Sequence, residues 1–331
     1  MSFPARSRTA WRTRAAALSC LVLLLSGTIH AAVPWSPSRP VKIVVPAGEG
    51  GGADLMARLI AEVVEKRRFI PHRIQVVNKP GGSGAEGYLH VSKLNGDDHT
   101  LLITLSNIFT LPIALGAPYH WNEMTPVARL GLDEFILWVH SESPYANLQG
   151  YLKDVRSSPE KFRMGGTGVA QEDQIVTILI EQTAGVKFAY VPLGGGGSVA
   201  HALSEKKVDS TVNNPSEARK LWKEGSLRPL AVLDKARIES APWNSIPTLK
   251  EKGLDVSYLM LRGIFAPPGV GGAVISFYQD LLRKVYDTEE FRGYLRKNAL
   301  QPAWMTGGEF SEWLAGQDEL HRKLLGKVGL K

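Results

Sequence analysis

Residues 42–58 constrain the fold of this chain more than any other stretch. The run at 42–46 contains three β-branched residues and a closing proline, which predicts a short buried strand. Residues 47–53 include four glycines, and an amphipathic helix opens at Asp54. A strand, a glycine loop and a helix start in this order direct free backbone N–H groups and the positive end of a helix dipole toward one point. The segment therefore predicts an anion site built from backbone.

The first 31 residues have the layout of a secretory signal peptide. Arginines at positions 6, 8, 12 and 14 precede an apolar run at 15–25 that is too short to span a bilayer, and small or tolerated residues follow up to Ala31. We expect cleavage near Ala31 and a monomeric periplasmic protein. Cys20 is the only cysteine, so the mature chain would contain no disulfide.

The net charge of +7 does not indicate a nucleic-acid partner. Removal of the four N-terminal arginines lowers it to +3 (7 − 4), and the other basic residues are scattered along the chain. A nucleic-acid groove needs a basic stripe interleaved with aromatic residues, which the sequence lacks.

Strands and helices alternate along the chain from Trp35, with glycine-rich turns between them. Such turns follow candidate strands at 42–46, 72–78, 161–164 and 188–191. The alternation predicts α/β architecture with ligands beyond the carboxyl ends of the strands. Because two units fall early and two in the middle, we expect two lobes, each a mixed, mainly parallel sheet flanked by helices.

The later chain completes the expected domain organisation. Asn214 is expected to cap a helix that begins at Pro215, with Glu217 as its third residue. The chain beyond 270 has helical periodicity without further candidate strands, and we expect it to pack on the first lobe. The predicted domains are a signal peptide at 1–31, a first lobe at 32–135 plus 260–331, and a second lobe at 136–259.

Patterns that would indicate an enzyme or a cofactor are weak. The dinucleotide pattern is matched at 48–53, 82–87 and 195–200, but Asn78 and Lys79 stand where it requires an acid. Ser83 lies too far from its strand for a nucleophile elbow and fits turn chemistry. The histidines are isolated and lack cysteine partners, so we expect no metal and no cofactor.

Two further groups of residues are best explained by structural roles. Glu172 and Asp173 are adjacent at a predicted helix start, where acids interact favourably with the helix dipole. Trp222, Trp243 and Tyr258 are interpreted as core residues, because buried aromatics are more often core than pocket.

The order of several short motifs over nearly the whole mature chain resembles the Bug-type periplasmic solute-binding proteins, the receptors of tripartite tricarboxylate transporters. The motifs lie at 39–46, 50–58, 77–84, 97–101, 165–168, 190–192, 246–253 and 266–269. The resemblance implies a two-lobed periplasmic binding protein, type II-like, that closes on a small mono-, di- or tricarboxylate. It also implies the membrane components of such a transporter as partners.

The resemblance implies that backbone amides of the first loop and of facing second-lobe loops hold the ligand. With the strand-end residues, the candidate ligand-binding set is Gly50, Gly51, Gly52, Ala53, Asp54, Ser106, Thr167, Gly168, Ala170, Gln171, Gly195, Gly196, Asn213 and Asn214. The chain departs from the family pattern at Ala47, Asp98 and 170–171, which leaves the ligand's identity open. A receptor that reports ligand occupancy to a membrane sensor kinase would have the same sequence features. An α/β enzyme acting on a small acid is a further alternative.

Overall fold

The structure is a computed structural model that describes residues 1, 2 and 35–330. Apart from Met1 and Ser2, the predicted signal peptide lies outside the described residues. No helix in the described part of the chain is both long and apolar enough to cross a membrane.

The described chain alternates strands and helices. The strands are β1 (Val41–Val45), β2 (Ile74–Asn78), β3 (Thr100–Thr104), β4 (Thr125–Asp133), β5 (Ile136–His140), β6 (Arg163–Gly166), β7 (Ala189–Pro192), β8 (Ser210–Asn213), β9 (Leu227–Val232), β10 (Met260–Ala266) and β11 (Gln301–Thr306). The helices are α1 (Gly52–Arg67), α2 (Ala85–Ser92), α3 (Asn107–Leu115), α4 (Leu148–Ser157), α5 (Glu172–Ala184), α6 (Gly196–Ser204), α7 (Pro215–Lys223), α8 (Gly272–Tyr286), α9 (Glu289–Lys297) and α10 (Gly307–Val328).

These strands form two sheets. The larger has the order β11-β4-β10-β3-β1-β2 and the smaller β7-β6-β8-β5-β9. Both sheets are mixed, as predicted, but parallel pairs do not dominate. Among the described strands, two of five pairings in the larger sheet and two of four in the smaller are parallel. The antiparallel pairs arise because β10 and β11 return into the larger sheet, while β5 runs between β8 and β9 in the smaller sheet.

The expectation of no strand beyond residue 270 was wrong. β11 pairs with β4 at the edge of the larger sheet, with an irregularity between Pro302 and Met305. A proline that cannot donate to the ladder is tolerated at a sheet edge. The presence of Pro302 therefore explains why the sequence pattern did not indicate this strand.

The chain passes between the sheets at 134–135 and again at 233–259, since β5 to β9 form the smaller sheet. The described residues 35–330 nevertheless form one compact unit. The division into lobes at 32–135 plus 260–331 and 136–259 therefore stays a prediction.

Helix α10 packs against elements of both sheets, whereas the sequence predicted that it would pack on the first lobe. Phe310 and Leu314 join a buried cluster with Phe265 of β10, whereas Leu325 joins the cluster that contains Leu137 of β5. His321 is buried between them and shares a 2.8 Å hydrogen bond with the Tyr258 hydroxyl. The C-terminal helix therefore connects elements of the two sheets.

The aromatic residues interpreted as core are packed in hydrophobic clusters. Trp243 is fully buried with Trp222 against it, and Tyr258 belongs to the cluster under β5. Their indole and phenol rings contribute apolar area to the cores of the smaller sheet.

Candidate ligand-binding site

A cavity of about 250 Å³ lies between elements of the two sheets. Nine of the fourteen candidate residues line it: Gly51, Gly52, Ala53, Thr167, Gly168, Gln171, Gly195, Gly196 and Asn214. These residues are far apart in sequence but all lie at or just after the carboxyl ends of strands. The topology therefore brings them to one place, as expected for sheets of this kind.

The other five candidate residues, Gly50, Asp54, Ser106, Ala170 and Asn213, do not line the cavity. The Asp54 carboxylate does not line the cavity because it accepts a 2.9 Å hydrogen bond from Gly50 N and pairs with Arg58. The Ser106 hydroxyl accepts from Leu261 N at 3.1 Å, and the Asn213 side chain donates to Gly196 O at 3.0 Å. These side chains hold the loops in place from behind.

Direct hydrogen bonds join elements of the two sheets at the cavity and beside it. Gly52 N, at the start of α1, donates to the Glu217 carboxylate of α7 at 3.1 Å. Asn107 N donates to Glu172 Oε1 at 2.6 Å, and the Thr110 hydroxyl donates to Ala170 O at 2.7 Å. The structure therefore shows the cleft with its walls in contact.

Glycine residues let the first loop and the facing loop after β7 approach each other closely. A Cβ on Gly48 of the first loop would lie 3.2 Å from Gly194 O, and one on Gly197 would lie 3.3 Å from the carbonyl group of Gly50. Of the first-loop glycines, Gly50 has a φ of +75°, which favours glycine, whereas Gly51 has an ordinary extended backbone. A conformational requirement therefore explains Gly50 but not Gly51.

Four helices of the described chain begin at the cavity. Gly52, Glu172 and Gly196 are the first residues of α1, α5 and α6 and line it, as do Asn214 and Glu217 in the first turn region of α7. The first N–H groups of a helix have no intrahelical acceptor, and a helix start carries roughly half a positive charge. The backbone around the cavity is therefore suited to anionic groups.

Among the residues that the structure describes, three carboxylates also line the cavity: Glu172, Asp173 and Glu217. Glu172 and Asp173 are 2% and 5% exposed, and Asp173 accepts a 2.9 Å hydrogen bond from Thr167 N. Burial raises the pKa of Glu172, and burial followed by the charge of Glu217 raises the pKa of Asp173 well above its usual value. Both acids do begin α5, as the sequence predicted, but their position in the cavity was not predicted.

Glu217 has a second role that its sequence position does not reveal. It completes the predicted capping box of α7, where its carboxylate accepts from Asn214 N at 3.1 Å. Its other oxygen reaches Gly52 N across the cavity. One side chain thus connects the starts of α1 and α7.

A buried ion pair lies against the first loop at Gly52. Arg262 is fully buried and donates through Nε to Asp133 Oδ2 at 3.0 Å and through Nη2 to Asn214 Oδ1 at 3.3 Å. A Cβ on Gly52 would lie 2.3 Å from Arg262 Nη2. Burial raises the pKa of Asp133 to about 6, against the opposing effect of Arg262.

A separate group in the described chain, Asp97, Asp98 and His99, has ligand atoms close enough together for a metal ion. Its atoms already serve as protein contacts. Asp98 accepts from the Trp35 indole at 3.1 Å, and His99 Nε2 accepts from Ser38 N at 3.0 Å. The group holds the segment at 35–38 in place and is not part of the cavity lining.

Two mixed sheets with a cavity at their helix starts define the class of two-lobed α/β solute-binding proteins. The model of the family described as tripartite tricarboxylate transporter family receptor matches residues 56–330. The chain belongs to this family and is a solute-binding receptor.

Curated relatives cover most of the chain. A UPF0065 protein of Cupriavidus necator is 25% identical over 297 residues, which is 89% of either chain. The protein BugT of Bordetella pertussis is 25% identical over 224 residues, covering 66% of this chain and 67% of BugT.

Solved structures share the fold. A TctC solute-binding protein from Polaromonas, 26% identical, covers 88% of this chain and 100% of its own with a TM-score of 0.64. A Rhodopseudomonas palustris protein with adipate has 23% identity, coverage of 88% and 98%, and a TM-score of 0.83. The malate-bound MatC of the same organism has 22% identity, coverage of 88% and 100%, and a TM-score of 0.79.

Proposed function

We propose that this receptor binds a small carboxylate in the cavity between its sheets, in the periplasm, and delivers it to the membrane components of a tripartite tricarboxylate transporter. The observation that carries the proposal is the convergence of four helix starts on a cavity crossed by hydrogen bonds from both sides. At about 250 Å³ the cavity is smaller than sites for drug-sized ligands, which supports a small metabolite.

The structural relatives with adipate and malate support a carboxylate ligand for this chain. In the proposed complex the nine cavity-lining candidate residues contact the ligand, and the five others hold the loops. The acids of the site serve binding rather than turnover, so the ligand is released unchanged.

A thermal-shift screen of the purified protein tests this function. Small mono-, di- and tricarboxylates are expected to raise the melting temperature, because a ligand that binds only the folded state stabilises it by about 2.7 kcal/mol at a hundredfold excess over Kd. Sugars and nucleotides are the control compounds. A rise with those compounds and none with any carboxylate would reject the proposal. If carboxylates do raise the melting temperature, native mass spectrometry of the protein as purified would identify the acid that accompanies it.

A further inference from the structure

Two carboxyl groups meet where the chain crosses between its two sheets. Glu134 lies on the first crossing, directly after β4, and Asp234 lies near the start of the second crossing, just after β9. Gln301 of β11 donates through Nε2 to both of them, at 2.7 Å to Glu134 Oε1 and at 2.9 Å to Asp234 Oδ2. Because both oxygen atoms contact the same nitrogen atom, the two carboxyl groups are close together. Glu134 and Asp234 are called the crossing pair below.

The surroundings of the crossing pair favour a proton on it. Glu134 is 1% exposed, and its Oε2 atom is buried without a hydrogen-bond partner among the described residues. Burial of a lone carboxylate is costly, and two neighbouring carboxylates do not readily both ionise. Burial, followed by the charge of Asp234, raises the pKa of Glu134 to about 8, against the opposing hydrogen bond from Gln301. Glu134 is therefore protonated at neutral pH.

Charged neighbours of the crossing pair come from several elements. On the first crossing, Asp133 is ion-paired with Arg262, and its charge raises the pKa of Glu134 further. Among the described residues neither member of the crossing pair has an ion-pair partner. The other charged side chains near the pair are Arg237, which is 2.8 Å from Glu251, Arg296 of α9, which contacts Glu289, and the exposed Lys235 and Glu239.

We propose that Glu134 and Asp234 share one proton in a carboxyl–carboxylate hydrogen bond, and that this proton holds the two crossing segments together. The backbone pairs at the same place, since Leu233 N donates to Phe135 O at 2.9 Å. Loss of the proton leaves two adjacent negative charges, which repel each other and are relieved by movement of the half-buried Asp234.

The place of the crossing pair in the fold gives this proton a structural consequence. Segments that connect two sheets absorb the backbone changes of hinge motion. The pair lines a different cavity from the candidate ligand-binding residues. It is therefore a pH-sensitive switch in the connection between the sheets, outside the ligand-binding cavity.

Urea unfolding of the full mature protein at several pH values tests the shared proton. An acid with a raised folded-state pKa makes the protein less stable as pH rises from its ordinary value of 4.5 to about 8. Glu134→Gln removes this titration, and its amide can still donate to Asp234. Relative to this variant, the unfolding equilibrium constant of the wild type should increase about tenfold per pH unit between about pH 5.5 and pH 7.5, and level off above about pH 9.

Glu239→Gln is the matched control, because Glu239 lines the same cavity but is exposed. It should keep the wild-type pH profile. A ratio between wild type and Glu134→Gln that does not change with pH would overturn the inference. If Glu134→Gln does not fold, Asp234→Asn replaces it. Loss of the like charge should then move the levelling to lower pH, and an unchanged profile would overturn the inference.

Hydrogen exchange of the Leu233 amide tests the connection between the segments. At about pH 9 this amide should exchange about tenfold faster or more in the wild type than in Glu134→Gln, whereas at about pH 6 the rates should agree. The Ile43 amide, in an interior strand of the larger sheet, reports global unfolding and should show a smaller difference. Equal protection of Leu233 in both proteins at about pH 9 would show that the proton does not hold the segments together.

Discussion

Replacement of Gly196 by alanine is expected to weaken ligand binding about a hundredfold or more, equivalent to about 2.7 kcal/mol. A Cβ at this first residue of α6 would lie 1.8 Å from Glu217 Oε1 and 2.0 Å from its Cδ. The Glu217 side chain must therefore move, and Gly52 N and Asn214 N lose their acceptor. Each buried group left unpaired costs about 1–3 kcal/mol, so the closed arrangement of the cleft is lost.

Gly272→Ala is the matched control for this variant. Gly272 is also the first residue of a helix, α8, but a Cβ there meets nothing within 4 Å. Its affinity should equal that of the wild type. Titration of both variants with the same carboxylate separates the contact with Glu217 from a general effect of alanine at a helix start. Wild-type affinity in Gly196→Ala would show that Glu217 does not hold the cleft.

Replacement of Arg262 by methionine is expected to lower the free energy of unfolding by about 3–5 kcal/mol at neutral pH, because it leaves Asp133 as an uncompensated buried charge. Both side chains are almost completely buried, at 0% and 1% exposed. The pKa of Asp133, already about 6, should rise further without the guanidinium. An acid with a raised folded-state pKa favours folding more at low pH, where it is protonated. The deficit should therefore be smaller at pH 5 than at pH 8.

A double variant controls for this interpretation. In Arg262→Met with Asp133→Leu both charges of this ion pair are removed, and most of the lost stability should return, since apolar replacements of buried ion pairs are often nearly neutral. Urea unfolding of the single and double variants measures the difference. A double variant as unstable as Arg262→Met would show that the loss comes from packing of the arginine and not from the charge of Asp133.

The local parts of the fold were predictable because neighbouring residues determine them. The β-branched run before the first loop formed β1, and the Asn214 cap with Glu217 formed as the sequence predicted. Two segments with an internal proline were not predicted. α3 contains Pro112 and β11 contains Pro302, and each departs from the usual pattern of its element.

Which residues meet at the cavity depends on contacts that sequence spacing does not reveal. Glu217 and Gly52 are 165 positions apart, yet they share a hydrogen bond across the cavity. Glu172 and Asp173 satisfy the rule for acids at a helix start, so nothing local signalled that they also face a cavity. Their convergence follows from the order of strands in two sheets, which the sequence pattern did not determine.

The contact between the ligand carboxylate and the first loop is the central claim, and titration of Gly51→Ala tests it most directly. Gly51 has φ −74° and ψ 161°, so alanine fits its backbone dihedral angles. The added Cβ would lie 3.3 Å from Gly48 O, a tight contact within the loop, and 3.8 Å from Glu217 Oε1 and 3.9 Å from Gly196 N. The Cβ therefore occupies space at the cavity wall. Gly271→Ala is the matched control, since Gly271 precedes α8 with φ −68° and ψ 151° and an open Cβ position.

The expected result is an affinity about tenfold lower or more in Gly51→Ala, about 1.4 kcal/mol, with a smaller loss of stability in the ligand-free protein and wild-type behaviour in Gly271→Ala. Unchanged affinity together with a sharp fall in the melting temperature of ligand-free Gly51→Ala would contradict the account. The first loop would then be structural, and the carboxylate would bind elsewhere.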